Sequence, residues 1–330
     1  MKVLSLFDGM SCGQIALREL GVPIERYYAS EIDKHAIQQT QLNFPETIQL
    51  GDVEKWREWN IEWSEIDLLL AGSPCQGFSL AGKMLGHDDP RSRLYWVFLD
   101  ILHHVQKLNP NVKYLLENVR MRPADEARIN ESLGIRPVVI NSALVSAQNR
   151  VRLYWSNGKT RIDGLLGDSV TDIDQPADKC VTIHDILQRK TDDKYTLGVY
   201  REGRGYVKSK NKKVKAGTLS TKDNVIAVLP ANTPISVGII QGFTDPRAYR
   251  PMTGYKAPSL CARARQDGSG QPCLLEEGVL LRLLTPTECA RLQTIPDWYK
   301  WGCSDTQAYK MLGNGWTVEV VKHILSHIIK

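Results

Sequence analysis

The residue best suited to covalent chemistry is Cys75, which follows Pro74 directly after an apolar run at residues 66–71. That run predicts a buried strand, and the proline imposes a turn that presents the next side chain at a defined angle. A thiol placed there could act as a nucleophile. A small buried thiol at the end of a strand is the alternative, because free cysteines are commonly buried. Cys75 alone does not decide between the two.

A carboxylate follows the next predicted strand in the same way. Residues 114–116 are apolar and predict that strand, and Glu117 ends it. In a parallel sheet the carboxyl ends of neighbouring strands meet at one edge, so Cys75 and Glu117 are expected side by side. Glu117 could then donate a proton to the molecule that Cys75 attacks. The alternative is a solvated cap for the turn that follows.

Two arginines form a third group of candidate functional residues. Arg150 and Arg152 lie where the predicted strands at residues 138–145 and 151–155 are joined, and they alternate with Val151. This period of two predicts that both side chains project from one face. In a pocket they would bind a phosphate or a base carbonyl, whereas at a sheet edge they would only be solvated.

The elements that position these residues begin at the N-terminus. Residues 3–7 predict a strand, Gly9 and Gly13 lie in the turn that follows, and residues 14–20 predict a helix. A strand, a glycine-bearing turn and a helix are the first unit of a nucleotide-binding α/β sheet. Two glycines are a weak signal by themselves, because tight turns use glycine for its positive φ.

Acidic residues at the ends of the next two predicted strands strengthen this interpretation. Glu31 follows the second strand and is suited to ribose hydroxyls, provided that Asp33 caps the following helix. Asp52 follows the third strand and suits an exocyclic amine such as that of adenine. Because no G-x-G-x-x-G pattern occurs, the sequence favours an adenosine-type ligand over a dinucleotide.

Two further stretches lie around Cys75. Residues 76–91 carry three glycines and no periodicity, which predicts a long functional loop. Trp56, Trp59 and Trp63 are spaced by three and four residues, which favours one buried helical face over a base-stacking platform.

The C-terminal part of the chain is strongly patterned. Thr285 and Pro286 predict the start of a helix. Residues 307–312 and 318–329 predict two more helices, separated by a tight turn at residues 313–315 where a ligand could bind.

The composition is that of an ordinary globular protein. The chain has 330 residues, is 42% hydrophobic and 24% charged, and carries a net charge of +5, which permits a polyanionic partner without requiring one. Seven cysteines without a C-x-x-C pair indicate neither a zinc site nor disulfides, so we expect no metal and a cytoplasmic location. The absence of a signal peptide or an apolar run of 18 residues predicts no membrane span.

A change of composition divides the chain. From residue 156 to about residue 278 it is rich in Gly, Lys, Asp, Ser and Thr, which predicts a smaller strand-and-loop lobe. Five lysines within residues 208–215 suit phosphate contacts, although a solvated loop would look the same. We therefore predict a catalytic and cofactor-binding domain at 1–155, a target-recognition domain at 156–281, and a segment at 282–330 that completes the first.

Six motifs in order resemble those of the cytosine-C5 DNA methyltransferases and cover about two-thirds of the chain. Phe7-Asp8-Gly9-x-x-x-Gly13 resembles the cofactor turn, and Ser73-Pro74-Cys75-Gln76 the nucleophile motif. The remaining four are Glu117-Asn118-Val119, Gln148-x-Arg150-x-Arg152, Arg282-Leu283-Leu284-Thr285-Pro286-x-Glu288-x-x-Arg291-Leu292-Gln293 and Gly313-Asn314-Gly315.

The chain departs from the commoner family pattern at two positions. Ser11 stands where the first motif usually has a glycine, and Gly315 followed by Trp316 replaces the serine of the closing G-N-S motif. The first and last motifs resemble those of the animal de novo branch, but we expect the chain to lack that branch's regulatory domains. We expect a bacterial or phage enzyme.

The resemblance implies an α/β, Rossmann-like methyltransferase fold, with a mixed sheet, helices on both of its faces and a strand-and-loop recognition lobe. Catalysis is assigned to Cys75, Glu117, Arg150 and Arg152. The pocket for S-adenosylmethionine, which leaves as S-adenosylhomocysteine, is assigned to Phe7, Asp8, Gly9, Gly13, Glu31, Ile32, Asp52, Val53, Pro74, Leu94, Asn314, Gly315 and Trp316. Contacts with duplex DNA are assigned to Gln76, Ser79, Ala81, Lys83, Arg91, Lys210, Lys212 and Lys213.

The implied reaction begins with attack of Cys75 on C6 of a cytosine flipped out of the duplex, with residues 76–91 as the lid. Glu117 would hold N3 and the exocyclic amine, and Arg152 would lie nearer to O2 than Arg150. We expect a monomer on DNA, with a cognate restriction endonuclease as a possible partner. An RNA cytosine-C5 methyltransferase and a catalytically idle DNA-binding homologue are the alternatives.

Overall fold

The structure is a computed structural model that describes residues 1–73, 93–163, 167–188 and 284–329, together with the strands between residues 195 and 283. The chain folds into two compact units. The first comprises Met1–Asn141, Val151–Pro176 and Val318–Lys330, and the second comprises Ser142–Arg150 and Ala177–Thr317.

The first unit is built on a seven-stranded sheet in the order β3-β2-β1-β4-β5-β7-β6. Its strands are β1 (Lys2–Leu6), β2 (Arg26–Ser30), β3 (Ile48–Gln49), β4 (Leu68–Gly72), β5 (Lys113–Val119), β6 (Val138–Asn141) and β7 (Val151–Ser156). β1 to β5 pair in parallel, whereas β7 runs antiparallel to both β5 and β6. The predicted mixed α/β sheet is therefore confirmed.

Helices alternate with these strands. The α-helices are α1 (Cys12–Glu19), α2 (Lys34–Asn43), α3 (Arg93–Leu108), α4 (Pro123–Leu133), α5 (Ile183–Ile186), α6 (Pro286–Leu292), α7 (Asp305–Asn314) and α8 (Val318–Ile328). Short 3₁₀ helices cover Val53–Glu58, Trp63–Glu65 and Ser142–Leu144. Among the described helices, none is long and apolar enough to cross a membrane.

The sheet is buried on both faces, as its apolar strands predict. Successive side chains of β1 alternate between the faces, yet Val3, Leu4 and Leu6 are all buried. Leu4 and Leu6 belong to a core cluster that also contains Phe98 and Ile101 of α3. The central strands therefore cannot shift without exposing apolar surface, which makes their ends a rigid support for a site.

The last helix returns to this first unit and packs against α1. A Cβ atom at Gly158 would lie 2.8 Å from Cγ1 and 2.9 Å from Cα of Ile328, so only glycine fits this approach. The C-terminal α8 is thus an integral part of the unit that carries the sheet.

The strand order places a switch point between β1 and β4. The chain proceeds from β1 outward to β2 and β3, and then returns to β4 on the other side of β1. Ligands of open α/β sheets bind in the crevice beyond the carboxyl ends of the strands at such a point. The residues that follow β1 and β4, Phe7 and Ser73, lie at this crevice.

The remaining strands form two-stranded antiparallel ladders. In the first unit, β8 (Thr160–Asp163) pairs with β9 (Asp168–Thr171). In the second unit the described strands are β10 (Tyr195–Thr196), β11 (Gly198–Arg201), β12 (Gly205–Lys208), β13 (Leu229–Pro230), β14 (Val237–Ile240), β15 (Tyr249–Met252), β16 (Cys273–Glu276) and β17 (Leu280–Leu283). Their pairs are β10 with β13, β11 with β12, β14 with β15 and β16 with β17.

Two predictions of local structure are wrong. Trp56, Trp59 and Trp63 do not lie on one α-helix, because two 3₁₀ helices separated by a bend carry this segment. Their rings still cluster, with 5.6 Å between the centroids of Trp56 and Trp63. The expected tight turn at residues 313–315 also begins later, since Gly313 and Asn314 form the last turn of α7.

Candidate active site

The turn after β1 has an unusual backbone. Phe7, Gly9 and Ser11 have φ values of 57°, 59° and 63°, all in the left-handed region. For a residue other than glycine this conformation costs roughly 1–3 kcal/mol, and it persists only where neighbouring groups impose it. Such strain is typical of sites that bind a ligand.

Asp8 is the residue that holds this turn together. Its carboxylate accepts hydrogen bonds from the hydroxyl groups of Tyr27, at 2.9 Å, and Ser11. Ser11 precedes α1 but does not cap the helix with its side chain, because its hydroxyl group is directed to Asp8. The first amides of α1 are therefore left for another acceptor.

Burial affects the ionisation of this cluster. Burial raises the pKa of Asp8 from 3.8 to about 6, with the negative charge of Glu31 acting in the same direction and the bonds from Ser11, Ser5 and Tyr27 opposing it. Burial and the charge of Asp8 raise the pKa of Tyr27 well above its usual value, so Tyr27 remains a hydroxyl donor.

We expect Asp8 to make stability depend on pH between about pH 4 and pH 6. The folded chain keeps the Asp8 proton up to about pH 6, whereas the unfolded chain releases it near 3.8. The free energy of unfolding of the wild type, relative to Asp8→Asn, should therefore fall by up to about 3 kcal/mol as the pH rises through this window. Urea unfolding of both proteins at a series of pH values measures this difference.

Tyr27→Phe is the matched control for this measurement. It removes one of the hydrogen bonds that lower the pKa of Asp8, so the fall should extend to higher pH. A difference between wild type and Asp8→Asn that stays flat from pH 4 to pH 7 would contradict the assignment.

Glu31 connects the end of β2 to the glycine turn. Its carboxylate accepts hydrogen bonds at 2.8 Å from the amides of Gly9, Ile32 and Asp33. Asp33 caps α2 through the amide of His35, as the sequence predicts. Three amides thus already donate to Glu31, but a carboxylate has about four acceptor positions, so one ribose hydroxyl donor can still be accommodated.

The other predicted cofactor residues of this unit differ in exposure. Ile32 is 74% exposed, the highest value among the large exposed hydrophobic residues that the structure describes, and offers an apolar surface to a ligand. Asp52 caps the 3₁₀ helix Val53–Glu58 through the amide of Glu54 at 3.0 Å. Leu94, in the first turn of α3, and the buried Val53 contribute to the core. Gly13 is buried in the first turn of α1.

The ends of β4 and β5 bring the nucleophile segment to Glu117. Gly72 pairs with Glu117 in the parallel ladder. The side-chain amide of Asn118 donates to the hydroxyl oxygen of Ser73 at 3.1 Å, and both groups are buried. The chain that continues toward Cys75 therefore leaves the sheet directly beside Glu117.

Arg152 forms an ion pair with Glu117 across the antiparallel ladder. Its Nε lies 3.0 Å from Oε1 of Glu117, with 13% and 11% of the two side chains exposed. The pair is diagonal, because Arg152 lies opposite Val119 in the ladder. The carboxylate is thus held in a fixed orientation by a cation that is itself largely shielded from solvent.

Arg150 has partners different from those of Arg152. It directly precedes β7, which begins at Val151, and its carbonyl oxygen accepts a hydrogen bond from the amide of Ser142 at 3.0 Å, so the common face of Arg150 and Arg152 stays a prediction. Arg150 belongs to the second unit and is 4% exposed. Its Nη2 donates to the carbonyl oxygens of Gly313 at 3.3 Å and Gly315 at 2.9 Å.

A buried polar cluster supports the same segment of the second unit. The amide nitrogen of Gln293 donates to the carbonyl oxygens of Leu312 at 2.6 Å and Gly315 at 3.3 Å. Its amide oxygen accepts from the hydroxyl group of Thr317 at 2.9 Å, which in turn lies 2.8 Å from the hydroxyl group of Ser142. Asn314 is exposed between these anchored residues, and Gly315 and Trp316 are half-buried.

The motif at the start of α6 fixes the chain on both sides of the predicted recognition lobe. Thr285 and Glu288 form a capping box, and Glu288, although buried, also accepts from the amide of Gln188 at 3.1 Å. Arg291 donates to the carbonyl oxygens of Ile186 and Leu187 at 3.1 and 3.3 Å. Residue 188 and residue 285, which flank the lobe, are therefore fixed side by side.

Several predicted residues lie outside the described part of the chain. They are Pro74, Cys75, Gln76, Ser79, Ala81, Lys83, Arg91, Lys210, Lys212 and Lys213, together with the predicted lid at residues 76–91. Within the described ranges, no three His, Cys, Asp or Glu side chains are grouped so that they could hold a metal ion.

Three functional residues were missed by the sequence reasoning. Ser73 and Asn118 connect the two central strand ends, and their positions inside the nucleophile and E-N-V motifs were the available signal. Gln293 stabilises the closing motif. Its polar side chain after the buried Leu292 was a weaker signal, because burial at that position could not be inferred from spacing.

The chain is similar to proteins of known type. A family model described as C-5 cytosine-specific DNA methylase matches residues 1–330. The type II methyltransferase M1.ScrFI of Lactococcus lactis subsp. cremoris is 30% identical over 344 residues, covering 100% of this chain and 78% of that protein. The type II methyltransferase M.DsaV of Dactylococcopsis salina is 29% identical over 345 residues, covering 100% of this chain and 86% of that protein.

A solved structure extends the similarity to the fold. The crystal structure of DNMT2 from Spodoptera frugiperda matches with a TM-score of 0.60 at 19% identity, covering 100% of this chain and 99% of that chain. At this identity the match supports the architecture alone.

Proposed function

This chain belongs to the C-5 cytosine-specific DNA methylase family and is a DNA (cytosine-5-)-methyltransferase, and we propose that it acts through a covalent bond between Cys75 and C6 of the target cytosine. One observation carries the proposal. Gly72 pairs with Glu117, and Asn118 binds Ser73, so the segment that leads to Cys75 starts beside the carboxylate.

The proposed chemistry follows from the weak nucleophilicity of C5 in an aromatic ring. Addition of the Cys75 thiolate to C6 breaks the aromaticity and moves an electron pair toward C5. Glu117 in its acid form holds N3 and the exocyclic amine, donates its proton to N3 as the adduct forms, and is left as the carboxylate that pairs with Arg152. Once C5 has taken the methyl group from the sulfonium, transfer of the C5 proton to a base and return of the N3 proton to Glu117 restore the double bond and the aromatic ring and expel the Cys75 thiolate.

Arg152 has two roles in this proposal. Its ion pair with Glu117 holds that carboxylate in place. Its guanidinium has five N–H donors, of which Nη1 donates to the carbonyl oxygen of Val151 at 2.9 Å, so the donors used by neither Glu117 nor Val151 can bind O2 of the base. A planar, permanently charged donor suits a carbonyl oxygen that gains negative charge during the addition.

The described residues fit S-adenosylmethionine as the methyl donor. When bound, it supplies a methyl group on a positively charged sulfur, which is an electrophile. The amides at the start of α1 can donate to its carboxylate, the Glu31 carboxylate can accept from a ribose hydroxyl group, and the exposed Ile32 can pack against the adenine face. Asp52 can accept the adenine amine. Pro74, Asn314, Gly315 and Trp316 are assigned to the same pocket by the resemblance alone.

The substrate is proposed to be duplex DNA with its target base flipped out, because C6 cannot be reached within the base stack. Residues 76–91 would cover the flipped base, and the lysines of residues 208–215 would contact phosphates. The lobe at 156–281 would choose the sequence. The type II names of the relatives suggest a restriction endonuclease that cuts the same site as a partner.

The purified protein should transfer labelled methyl groups from S-adenosylmethionine to duplex DNA at least about 100-fold faster than to transfer RNA. Bisulfite sequencing of the methylated DNA should then locate every product at C5 of cytosine within one short sequence. Preferential methylation of the RNA would replace the DNA assignment by the RNA alternative. Transfer to neither substrate, with the cofactor bound, would support the idle homologue.

A further inference from the structure

We propose that Arg150 is a positioning residue for the segment from Asn314 to Trp316, and that it does not contact the target base. This inference rests on the proposed function, in which that segment contributes to the cofactor pocket. It separates the roles of two arginines that are two positions apart in the sequence and that the resemblance both assigns to catalysis.

The partners of Arg150 are main-chain carbonyl groups at the end of a helix. Its Nη2 donates to the carbonyl oxygens of Gly313 and Gly315, in the last turn and at the C-cap of α7. Carbonyl groups in the last turn of a helix have no partner within it, and a cation there also interacts favourably with the helix dipole. The two hydrogens of Nη2 both bind main-chain carbonyl groups. The buried arginine therefore holds the backbone of this helix end in place.

Gln293 also binds the end of α7, independently of Arg150. Its amide nitrogen shares the Gly315 carbonyl with Arg150, and its amide oxygen binds Thr317. Residues on both sides of Asn314 are therefore anchored by buried side chains, whereas Asn314 itself is exposed. This arrangement holds a short segment in one conformation, with the side chain of Asn314 exposed.

Arg152 provides the contrast. It lies within β7 and pairs with Glu117, so its removal changes the carboxylate that the proposed mechanism uses. Arg150 lies one residue before that strand. Replacing Arg150 should therefore affect cofactor binding, whereas replacing Arg152 should affect turnover.

The experiment compares Arg150→Met and Arg150→Lys with the matched pair Arg152→Met and Arg152→Lys. The dissociation constant for S-adenosylmethionine is measured by calorimetry without DNA, and kcat is measured at saturating cofactor and DNA. Arg150→Met should raise the cofactor dissociation constant by about ten-fold or more and leave kcat within about three-fold. Arg150→Lys should recover part of the affinity, because it keeps a cation near the helix end. Arg152→Met should lower kcat and leave cofactor affinity unchanged.

Thr317→Val provides a second, milder test should Arg150→Met unfold. It removes the hydroxyl group that binds Gln293 directly after the segment from Asn314 to Trp316, and it should also raise the cofactor dissociation constant. Unchanged cofactor affinity in Arg150→Lys and Thr317→Val would overturn the proposal, as would a loss confined to kcat in either Arg150 variant. Because cofactor binding is measured without DNA, a failure of the proposed DNA methylation would be recognised separately.

Discussion

Cys75→Ser should abolish methyl transfer to DNA, with a fall in turnover of at least about 10³-fold. A serine hydroxyl group is far less acidic than a thiol, so it provides almost no anion to add to C6 at neutral pH. The measurement is incorporation of labelled methyl groups into duplex DNA under single-turnover conditions. The dissociation constant for S-adenosylmethionine should change little, because the substitution replaces one small side chain by another.

Cys180→Ser is the matched control for this prediction. Cys180 is an exposed free thiol to which no role is assigned, so its replacement should leave turnover unchanged. If Cys75→Ser retained turnover within ten-fold of the wild type, the covalent mechanism would have to be abandoned.

The same mechanism can be tested by trapping. DNA that carries 5-fluorocytosine at the target should form a complex with the wild type that resists denaturant, because fluorine cannot leave C5 as the proton does. Cys75→Ser should form none. This readout separates a missing nucleophile from a variant that simply binds DNA poorly, since DNA affinity is measured in the same samples before denaturation.

The sheet could be predicted from the sequence because its central strands are buried on both faces. Such strands appear as short, nearly continuous apolar runs, and β1, β4 and β5 all do. The polar residue that follows each run then marks the functional edge of the sheet. Glu31 and Glu117 were found in this way, together with the segment that leads to Cys75.

The partners of Arg150 could not be predicted from its spacing. Period-two spacing indicates the face of a strand but not what that face contacts, and Arg150 directly precedes the first residue of β7. Its actual partners, Gly313 and Gly315, are more than 160 positions away in the chain. No local pattern reports a contact between a side chain and a distant carbonyl group.

The spacing of the tryptophans predicted the wrong backbone structure, because it fits more than one kind of helix. Intervals of three and four residues fit an α-helix, but they also fit two short 3₁₀ helices whose rings converge on one core. The correct part of the prediction was that the three rings pack together on the core, with Trp56 buried and Trp59 and Trp63 partly buried, which is a property of side-chain chemistry. The wrong part was the backbone, which local hydrogen bonding decides.

Glu117→Gln should lower methyl transfer by about 10²–10⁴-fold, the range expected for loss of a positioned proton donor. Glutamine has nearly the same shape but cannot transfer a proton to N3. Cofactor affinity should be unchanged, and trapping on 5-fluorocytosine DNA should slow in parallel with turnover. Turnover within three-fold of the wild type would show that Glu117 does not protonate the base.

The ion pair with Arg152 gives this substitution a second consequence, which separates its catalytic effect from its structural one. Glu117→Gln leaves a largely buried guanidinium without its counter-ion, so the free energy of unfolding should fall by roughly 1–3 kcal/mol. In the double variant Glu117→Gln with Arg152→Met, part of that stability should return while turnover stays low. Asp168→Asn breaks the exposed pair with Arg136, in which both side chains are 49% exposed, and should change stability by at most about 1 kcal/mol and turnover not at all. If the double variant recovered turnover along with stability, Glu117 would be a support for the fold and the proton donor would have to be another residue.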